Sequence, residues 1–221
     1  MNFRTNILLA ALRRPVVLAK MAANIDVLSG GRLALGVGVG WQREEYEAAG
    51  LDFDGRGKLL DHALEVCTTF WREQQASYSS DLLTFSNIHQ MPKPLQPGGV
   101  PIWTSGTFRK STVRRLATFG PRWIPWGPDA GDILNAAPRM KQAVADAGGS
   151  TDGMRIIGNL AIRKDDKGKV DVAASMEPVA AMLQAGVTDF SVRLNPPDDF
   201  DDAVAWLEPI VSGFRAATGR G

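Results

Sequence analysis

Cysteine and histidine are scarce in this chain, which has one cysteine, Cys67, and two histidines, His62 and His89. A single cysteine forms no disulfide within the chain, and this favours a reducing, cytoplasmic setting. The three side chains lie too far apart along the sequence for the ligand spacing of a zinc site. The composition therefore predicts neither a disulfide scaffold nor a metal centre.

Long apolar runs and a strong net charge are also missing. No apolar stretch approaches the ~20 residues that a membrane-spanning helix needs. At the N-terminus the basic pair Arg13 and Arg14 follows the short apolar core, the reverse of a secretion signal. A net charge of +1 creates no long-range field for nucleic acid or an anionic membrane. The hydrophobic share of 44% is typical of a globular protein, and we expect one domain over residues 1–221.

Short apolar segments alternate with helical patterns along the chain. We predict strands at 5–11, 32–39, 101–105, 122–126, 154–163 and 188–194, and helices at 15–30, 42–49, 54–73, 110–119, 129–147, 170–185 and 200–217. Residues 77–96 fit a surface hairpin. This alternation predicts a parallel sheet with helices outside it. A doubly wound sheet and a (β/α) barrel both stay open on this pattern, because a closed barrel has eight units and six are present here.

Three glycines, Gly36, Gly38 and Gly40, are spaced two apart at the end of the second strand. This spacing places them on one face of the strand, where something approaches the backbone closely. A cofactor ring is one interpretation. Close packing inside a small barrel is the other, and we favour it slightly.

Three segments carry a resemblance to a known family: residues 15–50, 91–107 (MPKPLQPGGVPIWTSGT) and 114–126 (RRLATFGPRWIPW). They resemble the luciferase-like monooxygenases, especially the branch that uses the deazaflavin coenzyme F420. The resemblance implies an α/β fold of the TIM type, a (β/α) barrel with a flavin or deazaflavin at the carboxyl ends of its strands. Segment 5–11 corresponds to the third strand of such a barrel, so the barrel is shortened and lacks about the first two β-α units.

The resemblance also implies a cofactor site, with coenzyme F420 expected and FMN as the alternative. The turn from Ser105 to Thr107 offers backbone N–H groups to a phosphate at a helix N-terminus, and Arg109 and Lys110 add charge. An ordinary turn with Thr107 as the helix N-cap is the competing interpretation. The cofactor-binding residues implied are Gly38, Val39, Ser105, Gly106, Thr107, Trp126 and Gly127.

No catalytic residue is assigned. Some F420-dependent dehydrogenases of the family place a glutamate where this chain has Val39, so a general acid or base is missing at that position. The acidic run 44–47 is either a solvated helix face or a source of a carboxylate at the barrel mouth. Trp103, Trp123 and Trp126 lie on predicted strands, and we expect them in the core.

The expected function is that of a luciferase-like oxidoreductase, which uses F420 or reduced flavin to transfer hydride to a small organic substrate or to activate oxygen. The alternative is a non-catalytic partial barrel that serves as a flavin-binding or oligomer-forming subunit. Without the first two units, segments 5–11 and 188–194 become open edges, which predicts a homo-oligomer. A third possibility is a truncated gene product or a mis-assigned start, which the genomic sequence upstream of Met1 would decide.

Overall fold

The computed structural model of the protein describes residues 2–219. Its first half contains β1 (Phe3–Arg4), a 3₁₀ turn (Ala10–Leu12), α1 (Pro15–Leu28), β2 (Leu33–Val37), α2 (Arg43–Ala48), α3 (Arg56–Arg72), β3 (Ala76–Ser79), β4 (Thr84–Ile88) and β5 (Ile102–Gly106). Its second half contains α4 (Lys110–Phe119), β6 (Arg122–Pro125), α5 (Pro128–Gly131), α6 (Ile133–Asp146), β7 (Arg155–Leu160), β8 (Arg163–Lys164), β9 (Val170–Asp171), α7 (Val172–Met176), α8 (Val179–Gln184), β10 (Asp189–Val192) and α9 (Phe200–Thr218).

Six strands form the main sheet, in the order β1-β2-β5-β6-β7-β10, and every neighbouring pair is parallel. The sheet curls into part of a barrel, and helices pack against its outer face. This confirms the predicted α/β fold, a shortened (β/α) barrel. Within residues 2–219, β1 and β10 are the two end strands of the sheet.

The first predicted strand, 5–11, is wrong in its bounds. Regular pairing stops at Arg4, opposite Ala34, and resumes at a single bridge from Leu8 to Val37. Residues 5–8 therefore lie opposite only residues 35–37 of β2. This extra residue in one of two paired strands is a β-bulge. The bulge carries Ile7 to the carboxyl end of the sheet, beside Gly38. Alternation of apolar residues gives no sign of such an insertion.

Two predicted helices are each divided in the structure. The helix expected at 129–147 is interrupted at Asp132, whose φ of −107° and ψ of 44° lie outside the helical region. The helix expected at 170–185 is interrupted at Pro178, which has no N–H to donate. The hairpin expected within 77–96 is confirmed as the antiparallel pair β3 and β4.

The inner face of the sheet is packed around Trp103, Ile124 and Ile157. Gly36 belongs to this layer, where a Cβ atom would collide with the backbone oxygen of Thr5 and lie 3.0 Å from Ile124 Cδ1. Close packing inside the barrel thus explains Gly36, the interpretation favoured from the sequence.

The segment before β5 is tied to α1 by a fully buried carboxylate, Asp26. It accepts hydrogen bonds from the backbone N–H groups of Leu95 (2.8 Å) and Gln96 (3.2 Å) and from the side-chain amide of Gln96 (2.7 Å). These bonds satisfy a buried charge that would otherwise destabilise the core. They also set the path on which the chain enters β5.

Candidate functional site

Two adjoining clefts open at the carboxyl ends of the parallel strands. The helix-side cleft, about 690 Å³, lies between the ends of β2 and β5 and the first turns of α3 and α4. The sheet-side cleft, about 1050 Å³, lies at the ends of β5, β6 and β7. Both are lined by Ile7, Gly40, Trp41, Ser105 and Trp126, so they form one continuous depression. Ligands of (β/α) folds bind at this edge of the sheet.

The residues predicted to bind a cofactor all lie along these clefts. The helix-side cleft is lined by Gly38, Val39, Ser105, Gly106, Thr107 and Trp126. Gly127 lines the sheet-side cleft. The fold therefore brings together positions from the ends of β2, β5 and β6, which are far apart in the sequence. Their role as cofactor ligands stays a prediction.

The turn between β5 and α4 is held in place by the buried carboxylate of Asp129. This carboxylate accepts hydrogen bonds from the backbone N–H of Phe108 (2.6 Å) and from Nη2 of Arg139 (2.9 Å). The N-cap of α4 is Arg109, whose side chain makes no capping bond, so the alternative with Thr107 as N-cap is wrong. The first N–H groups of α4 consequently have no partner within the helix.

Cations outnumber carboxylates along the helix-side cleft, which is lined by Arg56, Lys58, Arg109, Arg114 and Arg115 and by Asp54 and Asp61. Asp61 pairs with both Arg114 and Arg115, the latter at 2.6 Å between Oδ1 and Nε. Asp54 pairs with Arg43 at 3.2 Å. Both carboxylates are therefore already occupied.

Three of these cations, Arg56, Lys58 and Arg109, form no ion pair within residues 2–219. Arg56 is nevertheless held in place, because its guanidinium lies 3.8 Å from the centre of the Phe53 ring and donates to the Phe53 oxygen at 2.8 Å. The cleft thus presents three cations that its two carboxylates do not pair with, an arrangement that favours a bound anion.

The contribution of α3 was missed in the sequence. Its first turn, Arg56 to Lys58, lines the same cleft as the first turn of α4. Two helix N-termini, each with partial positive charge, therefore meet there, although in α3 the N–H groups of Arg56 and Lys58 already donate to Phe53 and Gly55. The available signal was the segment Gly55-Arg56-Gly57-Lys58, in which cations alternate with glycine at a helix start.

Two exposed tryptophans flank the clefts. Trp41 is 77% exposed and Trp126 is 62% exposed, whereas Trp103 and Trp123 are buried. The core expectation is confirmed for Trp103 and Trp123 and is wrong for Trp126, because β6 ends one residue earlier, at Pro125. The exposed indoles can stack on a planar ring.

The end of β2 is fixed by Tyr46, which is fully buried and donates from its hydroxyl to the Val39 oxygen at 2.7 Å. Burial raises the pKa of Tyr46, so the hydroxyl stays protonated as a donor. At Gly38 a Cβ atom would meet Ile7 Cδ1 and lie 3.5 Å from Ser105 Cβ. Gly38 thus lies beneath two residues that line both clefts.

The sheet-side cleft is lined by both apolar and polar side chains, and few of them are charged. Among its lining residues, Glu45 and Arg193 are those with titratable side chains. Of the acidic run 44–47, Glu45 is therefore the member that reaches this cleft. Asn159 and Ser191, paired across β7 and β10, add polar groups on the inner wall.

In the part of the chain that the structure describes, no group of three His, Cys, Asp or Glu side chains is close enough to hold a metal ion. No helix described here is long and apolar enough to cross a membrane. Cys67 is buried, burial raises its pKa to about 12, and it does not line either cleft.

Two solved structures share this fold. The coenzyme F420-dependent tetrahydromethanopterin reductase from Methanopyrus kandleri has a TM-score of 0.75 at 14% identity, with 97% of this chain and 83% of that chain covered. The oxygenating constituent of 3,6-diketocamphane monooxygenase from Pseudomonas putida, in complex with FMN, has a TM-score of 0.70 at 14% identity, with 96% and 78% covered. At these identities the likeness shows a common fold.

Sequence comparison gives the family. An uncharacterised protein of Mycobacterium tuberculosis is 29% identical over 199 residues, which cover 90% of this chain and 65% of that relative. The chain thus spans less than two thirds of the length of this relative. The family model described as luciferase-like monooxygenase matches residues 1–193. With most of its length matched, the chain belongs to the luciferase-like monooxygenase family.

Proposed function

We propose that this chain binds a flavin-type cofactor that carries a phosphate, coenzyme F420, with FMN as the alternative. The observation that carries the proposal is the junction of a cationic cleft with a cleft of low charge through Ser105 and Trp126. A fused ring system with polar edges suits the sheet-side cleft, and a phosphate suits the cationic helix-side cleft. Neighbours in fold that depend on F420 or contain FMN support the cofactor class and leave the choice within it open.

The residues present fit such a group. Arg56, Lys58 and Arg109 would bind the phosphate by charge-assisted hydrogen bonds, together with the first N–H groups of α4. Gly38 lets Ile7 lie close to the end of β2 at the floor of the cleft, and Trp126 offers an exposed indole at its edge.

We further propose that the protein is an oxidoreductase of the luciferase-like class that acts on a small organic substrate. The cofactor supplies hydride transfer or oxygen activation when it is bound, and the chain supplies position and a dry environment. Glu45 is the lining carboxylate of the sheet-side cleft within the described residues, so it is placed to take or give a proton there. The unpaired thiol of Cys67 supports a cytoplasmic location.

The competing function is a non-catalytic, flavin-binding subunit. The observation that favours it is the open wall between β1 and β10, the two end strands of the described sheet. Water enters the sheet-side cleft through such an opening, whereas oxidoreductase sites exclude water from reactive intermediates. The two functions share cofactor binding and differ in turnover.

Cofactor titration tests the proposal. Purified protein is titrated separately with F420 and FMN while cofactor and tryptophan fluorescence are followed. Arg109→Gln should weaken binding about tenfold or more, since a hydrogen bond to a charged group is worth about 1.5–3 kcal/mol. Arg163→Gln, an exposed change on β8, should leave binding unchanged. If neither F420 nor FMN binds, the proposal is refuted. If a cofactor binds but no compound in a panel of substrates causes oxidation of its reduced form, the result favours the subunit function.

We also propose a homo-oligomer in which a second copy covers α1. Four exposed apolar side chains form a stripe along this helix: Val17, Met21, Ile25 and Leu28. A stripe on one helix can pack against its own copy about a two-fold axis, and the net charge of +1 offers little repulsion. Light scattering should show a dimer or higher species that Met21→Glu with Ile25→Glu dissociates and Lys20→Glu does not. A monomeric wild-type protein at micromolar concentration contradicts this.

A further inference from the structure

Three arginines meet at the amino ends of the strands, on the opposite edge of the sheet from the clefts. Arg4 lies on β1, Arg122 begins β6 and Arg155 begins β7. Arg122 and Arg155 are direct partners in the β6–β7 register. The guanidinium groups of Arg4 and Arg155 lie 4.7 Å and 5.1 Å from the centre of the Trp103 ring. Like charges directly opposite each other destabilise a strand pair, so the pairing of Arg122 with Arg155 is unfavourable unless opposite charge lies nearby.

The local charges do not balance. Asp189, at the start of β10, is the carboxylate in this cluster, and it is engaged by Arg155 through Nε to Oδ2 (3.0 Å) and Nη2 to Oδ1. Within residues 2–219, Arg4 and Arg122 form no ion pair. Three guanidinium groups and one carboxylate leave an excess of two positive charges.

Burial makes this excess unfavourable. The Nε atom of Arg4 is buried and has no hydrogen-bond partner. Burial lowers the pKa of Arg4, where Asp189 opposes and Arg155 adds to the effect. Burial also lowers the pKa of Arg122, and the charge of Arg155 lowers it further. A desolvated donor beside like charges is the local environment that a bound anion relieves.

We propose that Arg4, Arg122 and Arg155 form a second binding site, for a phosphate group carried as a dianion. A dianion cancels the excess of two charges. The guanidinium groups come from strands that are not all neighbours, so their donors approach from more than one direction, which suits a tetrahedral oxyanion better than a planar carboxylate. Arg155 is 48% exposed in its side chain, which leaves the site a route to solvent.

The site is separate from the proposed cofactor site. Arg109 and the helix-side cleft lie at the carboxyl ends of the strands. Arg122 and Arg155 begin β6 and β7, and Arg4 lies opposite Ala34, near the start of β2. A local reporter can therefore tell phosphate binding at one end from binding at the other. Trp103, in contact with Arg4 and Arg155, is that reporter.

The test uses the full chain labelled with ¹⁵N-tryptophan, which gives one indole signal for each of its 6 tryptophans. Trp103→Phe assigns the reporter signal. Inorganic phosphate, added at constant ionic strength, should shift the Trp103 signal to saturation. Arg4→Gln and Arg122→Gln should weaken that binding about tenfold or more, since each removes a charge-assisted bond. Arg109→Gln should leave the Trp103 titration unchanged.

Several results would overturn the proposal. These are a Trp103 signal that does not respond to phosphate, a response of equal size to sodium chloride or succinate, and a loss of the response in Arg109→Gln. The remaining indole signals show whether each variant is folded. If Arg4→Gln does not fold, the comparison of phosphate, succinate and chloride on the wild-type protein still tests the proposal. The melting temperature of the wild-type protein should then rise with phosphate and not with succinate or chloride.

Discussion

Alanine at Gly36 should damage the fold more than the site. The new methyl group would collide with the backbone oxygen of Thr5 and lie 3.0 Å from Ile124 Cδ1. The Thr5 backbone cannot easily move away, because its N–H donates to Ala34 (3.3 Å) and its hydroxyl donates to the Gly36 oxygen (2.8 Å). Overpacking costs about 1–3 kcal/mol and a lost hydrogen bond about 1 kcal/mol, so we expect a loss of about 3 kcal/mol in the free energy of unfolding.

Other glycines of the chain provide matched controls. At Gly38 a methyl group would meet the flexible end of Ile7, which can rotate away, so the loss of stability should stay below about 1 kcal/mol. The same methyl group would push Ile7, which lines both clefts, towards the cofactor and should weaken cofactor binding several-fold. At Gly131 a Cβ atom would have no neighbour within 4 Å, and φ is not positive, so Gly131→Ala should raise stability by up to about 1 kcal/mol.

Urea unfolding followed by circular dichroism measures these free energies, and thermal melting checks them. For a chain of this size 1 kcal/mol corresponds to about 2–4 °C, so Gly36→Ala should lower the melting temperature by about 6–12 °C. The crowding explanation fails if Gly36→Ala lies within about 0.5 kcal/mol of wild type. It also fails if Gly38→Ala is destabilised as strongly as Gly36→Ala.

Three further predictions concern buried polar groups. Asp61→Asn should lower the free energy of unfolding by about 3 kcal/mol, because buried Arg115 loses its carboxylate; a loss below about 1 kcal/mol in urea unfolding would contradict this. Burial raises the pKa of Cys67 from 9.0 to about 12, so its contribution to stability is complete below pH 9 and is lost as pH rises towards 12. The pH dependence over that window should be smaller in Cys67→Ala, and a thiol reagent at pH 8 should modify unfolded protein but not native protein. Asp129→Asn should weaken the bond from Phe108, loosen the turn before α4 and reduce affinity for FMN and F420, with an unchanged circular dichroism spectrum; unchanged affinity would refute this role.

The alternation of apolar strands with amphipathic helices was enough to predict the parallel sheet and most of its elements. Helix α4 has the predicted bounds, because its amphipathic pattern is bordered by Arg109 and Gly120. Two of the missed features are an added residue near Ile7 and a break at Asp132. Both are local departures from regular hydrogen bonding, and neither alters the hydrophobic periodicity on which the prediction depends.

The candidate site was predicted in part. The resemblance named residues at the ends of β2, β5 and β6, and parallel strands necessarily bring their carboxyl ends to one edge. It did not name Arg56 and Lys58, because they belong to a helix far from the Ser105–Thr107 turn in sequence. The strand prediction also placed Trp126 in the core, whereas the strand ends just before it.

By itself, the sequence determined the layered α/β architecture and the family, since hydrophobic periodicity and the motifs of residues 15–50 and 91–126 are properties of the chain read in order. Only the tertiary structure decided which charges are compensated. Asp61 neutralises Arg115 across two helices, while Arg56, Arg109 and two of the three arginines around Trp103 and Asp189 are left without carboxylates within residues 2–219. Charge compensation depends on distances between atoms from separate strands and helices, and the order of residues does not specify those distances.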